Sequence, residues 1–138
     1  MKHRRLVTIG LSALIACTAL SRTAAAQTKT PTQAYLEYQV ALTKATKLSE
    51  VLPHLSSAYR AMLESRPKAD QPVWLKRLQE SAVTGLKVTK ETIAGDKCTL
   101  EATGTSTHGN AMKGKISLIK ESGAWKLDEE GWGTEVRG

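Results

Sequence analysis

The hydrophobic pattern of this sequence changes its period once, near Gly85, and this change constrains the fold more than any other feature. Before Gly85, apolar residues recur at spacings of three and four, which is typical of amphipathic helices. After it, apolar and polar residues alternate, which is typical of strands that bury one face. The chain has 138 residues, the length of one domain. We therefore predict an α+β fold in which N-terminal helices pack on one face of a curved, cone-like, four-stranded antiparallel sheet.

Three helices are expected before the change of period. The first, over about 33–47, follows Thr30, which can cap it, and Pro31, which suits its first turn. The second covers about 48–65, and the third begins at Asp70, a candidate cap. The residues expected on their buried faces are Ala34, Tyr38, Ala41, Leu42, Ala45, Val51, Leu52, Leu55, Tyr59, Met62, Leu63, Trp74, Leu75 and Leu78.

Four strands joined by short turns are expected after it. They cover about 86–93, 97–104, 111–119 and 124–130 and form an antiparallel meander. The side chains predicted to face the helices are Cys98, Leu100, Ala102, Met112, Ile116, Leu118, Trp125 and Leu127. One face of the sheet is therefore apolar and covered, and the other is polar and solvated.

The first of these strands contains a conflict that predicts an irregularity. A two-residue turn at Gly95 and Asp96 pairs Ile93 with Cys98, but the same register leaves Leu86 and Val88 on the polar face. A shift of one residue reverses the face of every side chain beyond it. We therefore expect a β-bulge or an irregular turn between Thr89 and Ile93.

The first 26 residues have the three-part layout of a bacterial export signal. Basic residues occupy 2–5, residues 6–20 are apolar and uncharged, and small residues precede a cleavage site between Ala26 and Gln27. The apolar stretch is shorter than the roughly 20 residues that span a bilayer. We predict cleavage after Ala26 and an exported protein, periplasmic or secreted, with no transmembrane helix in the mature chain.

This cleavage divides the rest of the sequence into three parts. Residues 27–33 form a polar linker, residues 34–132 form the domain, and residues 133–138 form a polar C-terminal tail.

An alternative maturation uses Cys17. The preceding residues, Leu14 to Ala16, resemble the lipobox of bacterial lipoproteins, in which the cysteine carries a lipid anchor. Against this alternative, Ile15 is a less usual residue two positions before the cysteine, and the apolar run continues to Leu20. Ordinary cleavage is favoured, and the membrane-anchored lipoprotein remains the alternative.

Charge and cysteine content exclude several classes of function. Four of the twenty basic residues lie in the export signal, which leaves 16 basic and 13 acidic residues and a net charge of +3. Interspersed charges of this size are typical of an ordinary surface and predict no nucleic-acid partner. Cys98 is the only cysteine after the signal, so the mature chain has no intrachain disulfide. No metal-binding cluster and no cofactor motif is present, so neither is expected.

The pattern of helices followed by a meander resembles small exported domains of the nuclear transport factor 2-like (cystatin-like) superfamily. The residues that carry the resemblance are Gly114 to Leu118, the turn at Gly123, and Trp125 to Leu127. The resemblance covers about 34–132 and implies a cone-like fold that can enclose a pocket. It implies no particular reaction, because this fold hosts isomerases, dehydratases and binding modules.

Three residues are candidates for a pocket: Glu129, Trp132 and His54. Glu129 is in phase with Trp125 and would point inward if its strand continued, whereas Asp128 and Glu130 share the outward phase. Trp132 is expected to be a lid over the core or, alternatively, a pocket wall, and His54 a partly buried helical residue.

No base lies among the inward strand positions, whereas enzymes of the resembled superfamily place an Asp or His there. We therefore expect a non-catalytic envelope or secreted module that binds a protein partner or a small ligand. The alternative is a small-substrate enzyme, isomerase-like or dehydratase-like, with a base among Glu129, His54 and Asp70.

Overall fold

The structure, a computed structural model, describes residues 28–134. The predicted cleavage site at Ala26 and Gln27, the alternative lipid site at Cys17 and the end of the predicted tail lie outside these residues. Within residues 28–134, three α-helices and three short 3-10 turns precede a four-stranded antiparallel sheet that is open and curved. The predicted α+β fold class is confirmed.

Helix α1 spans Pro31–Lys44 and begins where the sequence predicts. The Thr30 hydroxyl oxygen accepts a hydrogen bond from the Gln33 backbone N–H at 3.1 Å, and the Gln33 side-chain oxygen accepts one from the Thr30 N–H at 3.0 Å. This reciprocal arrangement is a capping box, which satisfies two backbone donors at the start of the helix.

The prediction of a single helix over about 48–65 is wrong. Two short 3-10 turns, Leu48–Glu50 and Leu52–His54, precede helix α2, which spans only Ser57–Glu64. Pro53 lacks a backbone donor and its ring obstructs the preceding turn, so an α-helix cannot run through this position undisturbed. Ser56 then starts α2 anew as its N-cap.

Helix α3 spans Gln71–Glu80 after a 3-10 turn at Lys68–Asp70. The predicted capping role of Asp70 is wrong, because its side chain makes no capping hydrogen bond. Asp70 belongs to the preceding 3-10 turn and has helical backbone angles, whereas a capping residue is extended.

The strands follow in the order of the sequence, and each pairs with the next. They are β1 Thr84–Ala94, β2 Lys97–Thr105, β3 Ala111–Glu121 and β4 Ala124–Thr134, in the sheet order β1-β2-β3-β4. The predicted meander is confirmed, and β4 extends to Thr134, beyond the predicted end of that strand.

The predicted bulge in β1 is also present. The register shifts between Val88 and Lys90, so Thr89 is the extra residue, at the start of the predicted interval. Its hydroxyl donates to the Glu101 carbonyl oxygen at 3.1 Å. The shift allows Val88 to pack against the core, while the register of Ile93 at the other end of the strand is the predicted one.

The core lies between the helices and the inward face of the sheet. Most of the predicted inward residues are buried, namely Cys98, Leu100, Ala102, Ile116, Leu118 and Leu127. The helical layer contributes Tyr35, Tyr38, Leu42, Val51, Leu55, Leu63 and Leu75. Trp125 and Met112, which were also predicted to face the core, are only half-buried.

Strand β4 is joined directly to the helical layer. The backbone N–H of Ser56 donates to the Leu127 carbonyl oxygen at 2.7 Å, and Leu55 forms an isolated bridge with Leu127. The Ser56 hydroxyl also donates to an Asp128 carboxylate oxygen at 2.7 Å. These bonds fix β4 against the start of α2 at the point where its side-chain pattern changes.

Candidate functional site

A β-bulge in β4 determines which of its acidic residues point inward. Leu127 pairs with Leu118 on β3 and Glu129 pairs with Ser117, so Asp128 is the extra residue between them. An inserted residue exchanges the faces of all side chains that follow it in the strand.

The predicted phase of this strand is therefore wrong beyond Leu127. Glu129, which would point inward if the predicted alternation continued, is exposed on the outer face. Glu130, expected to point outward, pairs with the fully buried Ile116 and lies on the inward face. The acidic residue that faces the helices is thus the neighbour of the one that the alternation predicts.

The Glu130 carboxylate is held by aromatic side chains. The Tyr35 hydroxyl donates to Oε2 of Glu130 at 2.7 Å, and the Tyr38 hydroxyl lies 3.5 Å from Oε1. The indole N–H of Trp132 points at Oε2 over 3.4 Å. Gln39 donates to the Tyr35 oxygen at 3.0 Å, which orients the phenol. These bonds fix the position of a half-buried carboxylate.

The two phenols act as donors and not as bases. Burial, reinforced by the negative charge of Glu130, raises the pKa of Tyr35 and of Tyr38 far above the usual range. The same two causes raise the pKa of Tyr59. All three tyrosines therefore stay protonated at any physiological pH.

Trp132 is positioned by a glycine on the neighbouring strand. Gly114 pairs with Trp132, and a Cβ atom added at Gly114 would lie 2.7 Å from three atoms of the indole ring. The indole thus rests on the backbone of β3, which only glycine permits. Trp132 covers this part of the sheet and also lines two surface pockets.

One of these pockets has Glu130 in its wall, and we call it the Glu130 pocket. Its volume is about 390 Å³, and it lies among α3, the β2–β3 turn and the end of β4. Aromatic and apolar side chains form much of its lining, namely Tyr59, Leu78, Ala82, Val83, Met112 and Trp132. Glu80 is its second acidic residue, and none of the lining residues in the described range is Lys or Arg.

His54 lies in a different cleft, of about 470 Å³, which we call the His54 cleft. Trp125 lines it, together with the ion-paired Lys29 and Glu37, whose charged groups are 2.7 Å apart. Burial, and then the positive charge of Lys126, lower the pKa of His54. Two of the three predicted pocket residues, His54 and Trp132, thus line different pockets.

The remaining candidates lie outside both pockets. Glu129 borders a shallow groove of about 190 Å³ on the outer face of the sheet, and Asp70 is exposed beside α3. No group of three metal-binding side chains occurs within residues 28–134. In the same range, no helix is long and apolar enough to cross a membrane.

The sequence matches no protein-family model and no curated protein. A SEC-C motif containing protein from Rhodopseudomonas palustris, known from a solution structure, is similar with a TM-score of 0.49 and 14% identity, over 73% of this chain and 74% of that one. A de novo designed protein with a curved β-sheet gives a TM-score of 0.34 and 15% identity, over 49% of this chain and 60% of that one. These similarities say nothing about activity, and the nuclear transport factor 2-like resemblance is not confirmed by them.

Proposed function

We propose that this chain is an exported, non-catalytic module that binds a small ligand in the Glu130 pocket. The observation that carries the proposal is an inward carboxylate, fixed by Tyr35, in the wall of a pocket lined by Tyr59 and Trp132. Ligand sites are typically concave and mostly apolar, with a few fixed polar groups that orient the ligand. The export part of the proposal rests on the sequence of residues 1–26, and the lipoprotein alternative through Cys17 is carried with it.

Binding is favoured over catalysis because the groups around Glu130 are neutral donors. Tyr35 and Tyr38 stay protonated, and the inward side chains of β2 and β3 next to this carboxylate are apolar. A general base accepts a proton from its substrate on a free lone pair, whereas Tyr35 and Trp132 both donate to Oε2 of Glu130. His54 lines the other cleft, so it is not brought into the Glu130 pocket.

The second candidate function is that of a small-substrate enzyme in which Glu130 is the acid or base. It is favoured by one observation, the presence of an ionisable group in a pocket wall. The bases first considered, Glu129, His54 and Asp70, do not line that pocket. A Glu130→Gln variant that folds and binds but loses a measured turnover would favour the enzyme.

We also propose membership in the nuclear transport factor 2-like superfamily. The segments that carry the resemblance, Gly114 to Leu118 and Trp125 to Leu127, lie on the paired strands β3 and β4 and are joined through the Gly123 turn. The order of helices followed by a curved meander also supports this proposal.

The test is a thermal-shift screen of the exported, processed protein against lipids, peptides and metabolites, followed by NMR of each ligand that stabilises it. The indole N–H groups of Trp74 and Trp125 report on α3 and on the His54 cleft. That of Trp132 reports on both pockets that it lines, and Tyr59, which lines only the Glu130 pocket, distinguishes between them. We expect ligands that shift the Trp132 signal and lose affinity in Tyr59→Leu. Stabilising ligands that leave Trp132 unchanged, or no stabilising ligand at all, would contradict the proposal.

A further inference from the structure

We infer that the Glu130 pocket takes an organic cation, namely a small amine or ammonium group attached to an apolar body. The inference rests on the proposed function, since it names the ligand class of the same pocket. It follows from the sign of the charge in the pocket, from its aromatic walls and from the fixed position of its carboxylate.

The charge in the pocket is opposite to that of the chain. The sequence after the predicted export signal has 16 basic and 13 acidic residues, yet the described residues that line this pocket include Glu130 and Glu80 and neither Lys nor Arg. Glu80 is exposed and lies 3.9 Å from Lys76, outside the lining, so the negative charge of the pocket comes mainly from Glu130. Among the described lining residues, the titratable nitrogen belongs to His108, in the exposed β2–β3 turn. A partly enclosed site with charge of one sign concentrates ligands of the opposite sign.

Aromatic walls favour the same ligand class. Trp132 and Tyr59 both line the pocket, and an ammonium group over the face of such a ring is stabilised by the negative potential of the π-system. Leu78, Val83 and Met112 add apolar surface for the remainder of the ligand. An amine with a hydrocarbon or aromatic body matches both kinds of surface.

The carboxylate is positioned before any ligand arrives. Tyr35 and Trp132 both engage Oε2 of Glu130, while the longer contact of Oε1 with Tyr38, at 3.5 Å, leaves this oxygen less committed. Because both tyrosines stay protonated, the carboxylate is held by neutral groups. Within residues 28–134, no Lys or Arg forms an ion pair with it. A bound ammonium group would supply the missing positive charge.

The His54 cleft provides a comparison within the same molecule. Its lining contains Lys29 and Lys126 besides Glu37, so its charge is mixed and has a positive excess. Its aromatic wall is Trp125, and Lys120 already lies 5.8 Å from the centre of that ring. We therefore expect an organic cation to bind more weakly there than beside Glu130.

The experiment titrates the exported protein with three probes of matched shape: 2-phenylethylammonium, 2-phenylethanol and 3-phenylpropanoate. The indole N–H of Trp125 reports binding in the His54 cleft. That of Trp132 reports binding in either pocket that it lines, and loss of the response in Tyr59→Leu assigns it to the Glu130 pocket. We expect the ammonium probe to bind at Trp132 about tenfold more tightly than the alcohol, the size of one desolvated cation–π contact with its ion pair. The carboxylate probe should bind more weakly than the alcohol, and added salt should weaken only the ammonium probe.

Substitution of Glu130, with a matched control, tests whether the preference for the ammonium probe arises in the Glu130 pocket. Glu130→Gln should bring the affinity ratio of ammonium to alcohol close to one, while Glu129→Gln, a change of the same kind on the outer face, should leave it unchanged. If Glu130→Gln does not fold, Glu80→Gln replaces it, and this variant should lower the affinity ratio by a smaller factor.

The outcomes separate this inference from the proposed function. Equal binding of the three probes at Trp132 would overturn the cation preference and leave the pocket as a ligand site. If no probe binds, the ligands found by the thermal-shift screen decide: cations at Trp132 support the inference, and neutral or anionic ligands there overturn it. A screen without any ligand at Trp132 would overturn both.

Discussion

The two halves of strand β4 lie on the same sheet and are stabilised in different ways. Before the bulge at Asp128, the inward side chain is Leu127, which is 1% exposed and surrounded by apolar residues of the core. After the bulge, the inward side chains are Glu130 and Trp132, which are half-buried and joined to each other and to α1 by hydrogen bonds. One inserted residue thus separates a part of the strand that belongs to the apolar core from a part that lines the Glu130 pocket.

This difference predicts that substitutions in the two halves have unequal consequences. Burial of apolar surface is the main stabilising contribution in the first half, and its loss also leaves a cavity. In the second half, the side chains are held by a few directional hydrogen bonds. Each such bond contributes less to the free energy of unfolding than the burial of an apolar side chain, and it fixes the orientation of the groups it joins.

The largest effect is expected in the apolar half. Leu127→Ala removes a fully buried side chain and should lower the free energy of unfolding by about 2–5 kcal/mol. Chemical denaturation of the variant and the parent measures the change. A loss no larger than that of Tyr35→Phe would show that the two halves do not differ in this way.

A smaller effect is expected where Trp132 rests on the sheet. Gly114→Ala places a methyl group 2.7 Å from the indole ring, so the ring must move at a cost of about 1–3 kcal/mol. The shift should be visible in the fluorescence and indole N–H signal of Trp132. Gly133→Ala is the matched control, because a Cβ atom there meets no other atom within 4 Å.

The hydrogen bond from Tyr35 to Glu130 should contribute less to the free energy of unfolding than either of these packing contacts. Tyr35→Phe removes the donor of the 2.7 Å bond, and a loss of about 1–2 kcal/mol is expected, since water can reach the half-buried carboxylate. The control is Tyr59→Phe, whose hydroxyl makes no hydrogen bond to Glu130 in the described structure. Equal losses in both variants would mean that the bond itself adds nothing.

The smallest expected effect is a change in how the free energy of unfolding depends on pH. It concerns Glu121 at the end of β3, beside the apolar half of β4. Glu121 accepts from the Ser57 backbone N–H at 2.9 Å and from its hydroxyl, and these bonds lower the pKa of this exposed carboxyl. A lowered pKa in the folded state means that the stabilisation is present above the pKa of the unfolded chain and is lost as the pH falls through the folded value. The free energy of unfolding of the parent should therefore fall more steeply with decreasing pH than that of Glu121→Gln. Glu129→Gln should retain the full dependence.

The sequence predicted the fold and one of the three register shifts of the sheet for the same physical reason. In β1, Leu86 and Val88 fall on the polar face unless the register shifts, so the apolar pattern itself reveals the bulge at Thr89. In β4, the bulge lies within Asp128, Glu129 and Glu130, three residues of similar polarity. A shift within such a run leaves the hydrophobic pattern unchanged, and the alternation therefore assigned the wrong carboxylate to the inward face.

The site required contacts that no local pattern contains. Tyr35 and Tyr38 are separated from Glu130 by more than 90 residues, and their hydroxyls meet it only after α1 packs on the sheet. Tyr38 was predicted to be buried, yet its hydroxyl needs a partner in the core, and this requirement was the one signal that pointed to a nearby polar group. No comparable signal exists for Tyr35, which lies beside the predicted apolar stripe.

The bulge at Asp128 turns Glu130 inward and Glu129 outward. Carboxyl footprinting of the native protein, with a water-soluble carbodiimide and an amine, tests it directly without any substitution. Fragment-level mass spectrometry resolves the two neighbouring residues, and modification is followed over time. We predict rapid modification of Glu129 and slow modification of Glu130, with equal rates in denaturant. Faster modification of Glu130 than of Glu129 in the native protein would contradict the assignment and the pocket that depends on it.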